Sequence, residues 1–144
     1  MRVIGLDHGR RRIGVAVGDT WTGMAFARPA LQRRSLVVDL DTVAVLARDE
    51  EAGLVVLGLP RNMDGSEGAQ AAAARDFGER LAAIGLTVAY VDERLTTWQA
   101  AEQLADEGRR VRRRSGELDS AAARLILQEY LDAHLPPDVE QEAE

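Results

Sequence analysis

A chain of 144 residues fits one domain around one core and leaves no room for a second catalytic domain. It contains no cysteine, which excludes disulfides, thiolate metal sites and cysteine nucleophiles, so a metal must sit on oxygen or imidazole. The net charge of -6 argues against nucleic acid only as a sum. Arginines gather at Arg10-Arg11-Arg12, at Arg33-Arg34 and between Arg109 and Arg114, whereas Asp138, Glu140, Glu142 and Glu144 collect behind Pro136-Pro137.

The N-terminal stretch reaches an acid, Asp7, before any signal-like apolar run develops, and no segment approaches the roughly 20 apolar residues of a membrane span. A cytoplasmic protein without membrane contact is expected. Val3 to Leu6 and Arg12 to Gly18 read as a β-hairpin turning at His8-Gly9-Arg10-Arg11, and Met24 to Arg28 extends it to a three-stranded antiparallel meander. From Val38 to Ala52 apolar residues recur at helical spacing, with Asp39 or Asp41 as the expected cap. Leu54 to Gly58 is a continuous apolar run, as in a strand buried on both faces of a parallel sheet. A turn-rich loop from Leu59 to Gly68 precedes a helix from Ala69 to Ile84 ended by Gly85, and Leu86 to Val91 is the last strand. Thr96 and Gln99 have capping-box spacing for a helix to about Asp106, and Ser115 caps a final helix stopped by Pro136-Pro137. The expected architecture is α/β: a five-stranded mixed sheet flanked by helices, in one domain over 1–135 with a frayed acidic tail over 136–144.

Three carboxylates stand where a structural role is not the obvious one. Asp7 ends an apolar strand between Gly5 and Gly9; it is either a turn-forming acid or a functional one given room by small neighbours. Asp119 shares a helical stripe with Ala122, Ala123, Ile126, Tyr130 and Ala133, a stripe that should face the protein, where a carboxylate needs a partner or a cation. Glu93 follows the last strand and reads as a ligand, a salt-bridge partner of Arg94 or a rim residue. Strand ends and a helix packed on the sheet can converge on one crevice. Carboxylate oxygens suit Mg²⁺ or Mn²⁺, and two such ions can activate a water and stabilise a leaving oxygen without a nucleophilic side chain. His8 is a candidate ligand or phosphate contact; His134 suits the dipole of the last helix.

Four ordered segments carry a resemblance: Gly5-Leu6-Asp7-His8-Gly9 running into Arg12-Ile13-Gly14-Val15-Ala16; Gly58-Leu59-Pro60-Arg61-Asn62-Met63-Asp64-Gly65; Asp92-Glu93-Arg94-Leu95-Thr96-Thr97; and Asp119-Ser120-Ala121-Ala122-Ala123. From Met1 to about Leu135 the chain resembles the YqgF/RuvX family of Holliday-junction resolvases and pre-ribosomal RNA nucleases. The resemblance implies an RNase H-like fold with Asp7, Glu93 and Asp119 in the active site. Related resolvases place an acid after the fourth strand, whereas this chain has Gly58-Leu59-Pro60 there and no acid before Asp64. Glu93 must then substitute from about 5 Å further across the sheet.

These features imply a Mg²⁺- or Mn²⁺-dependent nuclease with Asp7, Glu93 and Asp119 as catalytic metal ligands, and Asp92 or Asp64 in reserve. Its substrate is structured or single-stranded RNA or DNA, four-way junctions included. Asn62, Arg94, Arg112, Arg113 and Arg114 are the expected phosphate contacts, with Arg61 as an additional one. A catalytically silent RNA-binding assembly factor and an actin-like ATPase-related phosphate-binding domain are the rival readings. The oligomeric state, monomer or homodimer, is open.

Overall fold

The computed structural model describes residues 1–93 and 115–134, with the side chains of 115–119 outside that description. The helix expected over 96–106, the arginine run over 109–114 and the acidic tail lie outside the described residues. Five strands, β1 (Arg2–His8), β2 (Arg12–Asp19), β3 (Met24–Gln32), β4 (Ala52–Leu59) and β5 (Val88–Asp92), form one sheet in the order β3-β2-β1-β4-β5. β1 pairs antiparallel with β2 and β2 with β3, whereas β1, β4 and β5 run parallel, so the mixed sheet is as expected.

Helices α1 (Leu36–Asp49) and α2 (Ala69–Ala83) cover one face; α3 (Ser115–Ala133) covers the other. Each interior strand therefore carries apolar residues on both sides, which is why β1 and β4 read as unbroken apolar runs. Ile4, Leu6, Val55, Leu57 and Leu59 pack with Val43 of α1 and Phe77 and Leu81 of α2. Val3, Ala16 and Val56 meet Ala123, Ile126, Leu127 and Leu131 of α3. Period-two alternation thus assigns Gly5 and Asp7 of β1, and Gly58 of β4, to the α3 face.

Two details differ from the sequence reading. Ser35, not Asp39 or Asp41, caps α1, its hydroxyl accepting from Val38 N at 3.2 Å, and Asp39 is instead buried at 5 % exposure. On α3 the core stripe runs through Ala123, Leu127 and Leu131, with Ala122 and Ile126 alongside; Tyr130 is half-buried and Ala133 is exposed. The i, i+4 row is the one that meets the sheet, and the expected stripe was turned too far around the helix.

α3 sits close to the sheet because glycines lie under it. A Cβ at Gly5 would stand 2.7 Å from Leu127 Cβ and 3.0 Å from the Ala123 carbonyl oxygen; one at Gly18 would stand 2.9 Å from Leu131 Cδ1. Polar bonds fix the helix lengthwise. Ser120, buried at 4 % exposure, donates to the Arg28 carbonyl at 2.6 Å and accepts from Val15 N at 3.4 Å. Those backbone groups flank the register shift between β2 and β3, where Ile13 faces Leu31 but Val15 faces Arg28, so the hydroxyl stands in for ladder partners missing at the irregularity. Gln128 ties the next turns down, accepting from Ala25 N at 3.1 Å and donating to the Gly23 carbonyl at 2.7 Å.

Gly5→Ala should therefore destabilise the protein by about 1–3 kcal/mol through overpacking against α3. Denaturant unfolding checks it: a midpoint equal to that of the parent would show that the helix gives way freely.

Candidate active site at the strand ends

Asp7 and Glu93 meet at the C-terminal ends of the parallel strands. Asp7 is the penultimate residue of β1, and Glu93 follows β5. The β4–β5 pairing continues past β5, because Glu93 N donates to the Leu59 carbonyl at 3.1 Å. That bond keeps Glu93 in extended register and, by alternation from Ala89 and Val91, on the α3 face with Asp7. Between them on β4 lies Gly58, where any Cβ would collide with the Glu93 carboxylate and stand 2.5 Å from Ile126 Cδ1. Glycine is required there for space rather than for backbone freedom.

Glu93 is buried at 6 % exposure and its carboxyl shares a hydrogen bond with Asp7. Burial, the negative charge of Asp7, that shared hydrogen bond and the nearby Asp92 push the Glu93 pKa up to about 9. At neutral pH the pair therefore holds a proton: two carboxyl groups this close cannot both be ionised without a cation between them. The donor set is hard oxygen, which fits Mg²⁺ or Mn²⁺, and a divalent ion would take the place of the shared proton. Among the described residues no third carboxylate or histidine completes a metal cluster with this pair.

A cleft of about 340 Å³ opens at the pair, and its walls include His8, Arg10, Arg33 and Gln70. The His8 ring lies against Phe77 of α2, ring centroids 4.8 Å apart, and burial followed by the Arg33 charge lowers its pKa to about 4. It is neutral at physiological pH and is not a cationic phosphate contact.

Of the remaining expected site residues, the described ones, Asn62, Asp64 and Asp92, bond to loop or neighbouring groups of their own. Asn62 is exposed and closes the loop after β4: its Nδ2 donates to Ser66 Oγ at 3.0 Å, its backbone N to the Ser66 carbonyl at 2.8 Å. Asp64 is exposed in the same turn and accepts from Ser66 N at 2.9 Å and Ser66 Oγ at 2.6 Å. Asp92 alternates to the α1/α2 face, 3.9 Å from Arg61, which also pairs with Glu67 at 3.4 Å. Arg94, Arg112, Arg113 and Arg114 lie outside the described residues, as does the Asp119 side chain, although position 119 belongs to α3. Sequence reasoning missed Gly58 as the spacer, and Arg10, Arg33 and Gln70 as cleft residues. Arg33 was visible only as half of a basic pair, and its reach back to β1 is a tertiary fact.

The pH dependence of the metal-free protein tests the carboxyl pair. A folded pKa of about 9 against an ordinary 4.5 means that the folded state holds an extra proton between those values, so Glu93 costs stability as pH rises through that window. His8 acts on the acid side, its stability lost as pH falls from 6.5 toward about 4. Glu93→Gln should remove the alkaline loss and leave the acid limb. In chelator at pH 8 it should be more stable than the parent by on the order of 1 kcal/mol. Parallel melting curves of parent and variant with increasing pH would contradict the shared proton.

A family model described as "RuvX: Holliday junction resolvase" matches residues 1–133. A relative from Myxococcus xanthus, provisionally named a pre-16S rRNA nuclease, is 46 % identical over 141 residues, covering 97 % of this chain and 93 % of its own. One from Lactococcus lactis with the same provisional name is 46 % identical over 138 residues, covering 92 % and 95 %. Among solved structures, Thermus thermophilus RuvC in complex with a Holliday junction substrate superposes with a TM-score of 0.58 at 15 % identity, over 92 % of this chain and 95 % of that one. The yeast mitochondrial Holliday junction resolvase Ydc2 gives 0.50 at 9 % identity, over 99 % and 84 %. The sheet order and flanking helices are those of an RNase H-like fold, and the chain belongs to the RuvX family of nucleases.

Proposed function

We propose that the chain is a divalent-metal-dependent phosphodiesterase that cleaves nucleic acid at the cleft beside Asp7 and Glu93. The observation that carries this reading is the Asp7–Glu93 carboxyl pair, in which the burial of Glu93 and the negative charge of Asp7 favour a retained proton. Charge deficits of that kind cluster at functional sites.

Asp119 is the third acid in this reading. α3 runs toward the site, with Leu131 over Gly18, then Leu127 and the Ala123 carbonyl over Gly5. One further turn brings position 119 from above Gly5 to above Asp7, two residues along β1. The Ser120 bonds to Val15 and Arg28 fix that register. With Mg²⁺ or Mn²⁺ bound, the metal supplies Lewis-acid stabilisation of the phosphate and a water of lowered pKa. Asp7, Glu93 and Asp119 would hold the ion. On loading, Glu93 would release its proton to solvent, and the apolar floor formed by Val56 and Ile126 keeps bulk water from beneath the carboxylates. Arg94, Arg112, Arg113 and Arg114 contact the backbone of the substrate, and Asn62 shapes the loop beside it.

The names of the relatives point to precursor 16S rRNA, a cytoplasmic substrate, and the family description to four-way DNA junctions. Cleavage of a precursor 16S 5′-end RNA and of a four-way junction, run side by side with solution mass, decides the substrate. A junction needs two paired sites and hence a dimer.

Activity should need Mg²⁺ or Mn²⁺ and vanish in excess chelator. Asp119→Asn should lower cleavage by about two orders of magnitude or more while binding and folding survive. A folded, fully active Asp119→Asn protein would exclude it from the site. Replacing Arg112, Arg113 and Arg114 together by Gln should flatten the plot of log affinity against log salt by up to about 2–3 units, roughly 0.7–0.9 for each phosphate no longer neutralised. An unaltered slope would place that segment away from the substrate.

A further inference from the structure

Asp39 is a buried acid that the reaction does not use. At 5 % exposure in the first turn of α1, its carboxylate costs stability unless it is fully bonded. Both oxygens are engaged: Oδ2 accepts from Arg33 Nε at 3.3 Å and Oδ1 from the Arg34 backbone N at 3.0 Å. The same guanidinium donates from Nη1 to the Gly9 carbonyl at 3.1 Å, and the Arg33 backbone N donates to the Arg11 carbonyl at 2.9 Å. Arg33 is thus held along one edge by α1 and along another by the β1–β2 turn, while its side chain lines the cleft. A guanidinium fixed by a buried carboxylate is a rigid fork, the form of cation that suits an anionic oxygen pair.

Two further features of the same wall favour an anion. Arg10 is exposed and lines the cleft from the β1–β2 turn. Opposite it begins α2, a helix of 15 residues whose cap, Gly68, makes no side-chain bond and whose first turn carries no acid; Ala69 and Gln70 line the cleft there. The leading N–H groups of that helix and its dipole add positive potential beside the two arginines. The Gly9 carbonyl that seats Arg33 lies two residues beyond Asp7, in the turn that follows β1. One cleft therefore has an acidic end, at Asp7 and Glu93, and a basic end, at Arg10 and Arg33.

We propose that Arg33, positioned by Asp39 and assisted by Arg10 and the N-terminus of α2, binds a backbone phosphate within one or two nucleotides of the phosphate that is cleaved. The subsite rests on the phosphodiesterase reading for its substrate, but not on turnover for its test. It sets where along a strand the scissile bond sits, because one phosphate is anchored while a neighbour meets the acids.

The test pairs protein and substrate changes. Full-length Asp7→Asn protein, inert in every arm, is titrated in Mg²⁺ with a short single-stranded oligonucleotide whose phosphates are replaced, one at a time, by neutral methylphosphonate. A single position should weaken binding about fivefold to tenfold. Arg33→Gln should weaken the unmodified strand by a similar factor and abolish sensitivity at that position alone. Arg10→Gln, an exposed change that cannot unfold the chain, should reduce sensitivity at the same position. Additive losses at all positions, or Arg10→Gln and Arg33→Gln behaving as the parent, overturn the subsite while leaving the nuclease reading intact. Position-specific coupling with no cleavage by wild-type protein would keep the subsite and sink the nuclease reading. Absence of any oligonucleotide binding sinks both.

Discussion

The close approach of α3 to the sheet is the constraint on which the site depends. Gly5 and Gly18 let the helix backbone and the stems of Leu127 and Leu131 lie where side chains would otherwise hold it off. The gain is a second sealed layer: Ala123, Ile126, Leu127 and Leu131 are fully buried against Val3, Ala16 and Val56. Each large aliphatic side chain so buried contributes about 1.5–3 kcal/mol. Because a packed interior admits few alternative arrangements, the same packing fixes the height and rotation of the helix above the strand ends. Ser120 and Gln128 add the lengthwise register through bonds to β2, β3 and the turn between them.

This architecture carries an electrostatic cost at its open end. Glu93 is driven into an apolar corner beside Asp7, and the pair stays intact at neutral pH by retaining a proton. A sequence selected for stability alone would place amides or apolar residues there. Local rules fail in this way where function is served. Asp39 shows the contrasting solution, a buried carboxylate satisfied within the protein by Arg33 and the backbone of Arg34. The two acids are comparably buried, but Glu93 faces another acid instead of a guanidinium, and burial together with that neighbour's charge displaces its titration upward.

The order of the described elements, the meander and the parallel strands were legible because each element has a period and a break: apolar runs at 3–6 and 54–58, turns rich in glycine, helical spacing between. The cap of α1 was not, since Ser35 and Asp39 are both good caps in isolation and only tertiary packing decides that Asp39 faces Arg33. The stripe on α3 was legible in kind but misplaced in angle, because alanines are consistent with either face of a helix. For the site, Asp7 and Glu93 could be named from their places at strand ends and expected to converge on one crevice, yet the hydrogen bond they share could not be foreseen. Nor could Arg33 be drawn to Gly9, 24 positions away, by any local signal.

The distance across the sheet explains why Gly58 and Glu93 belong together. β5 lies two strands from β1, so the backbones of Asp7 and Glu93 are separated by about two strand spacings, roughly 9–10 Å. An aspartate and a glutamate pointing toward each other, plus one hydrogen bond, can close such a gap only if they pass over the intervening strand. Any side chain on β4 at that point would occupy the path, and a Cβ at Gly58 would already meet the Glu93 carboxylate. An acid at the end of β4 would stand one strand from Asp7 and need no such corridor. Moving the acid to β5 therefore requires two coupled features, the longer side chain at 93 and the missing one at 58, and neither has its purpose without the other.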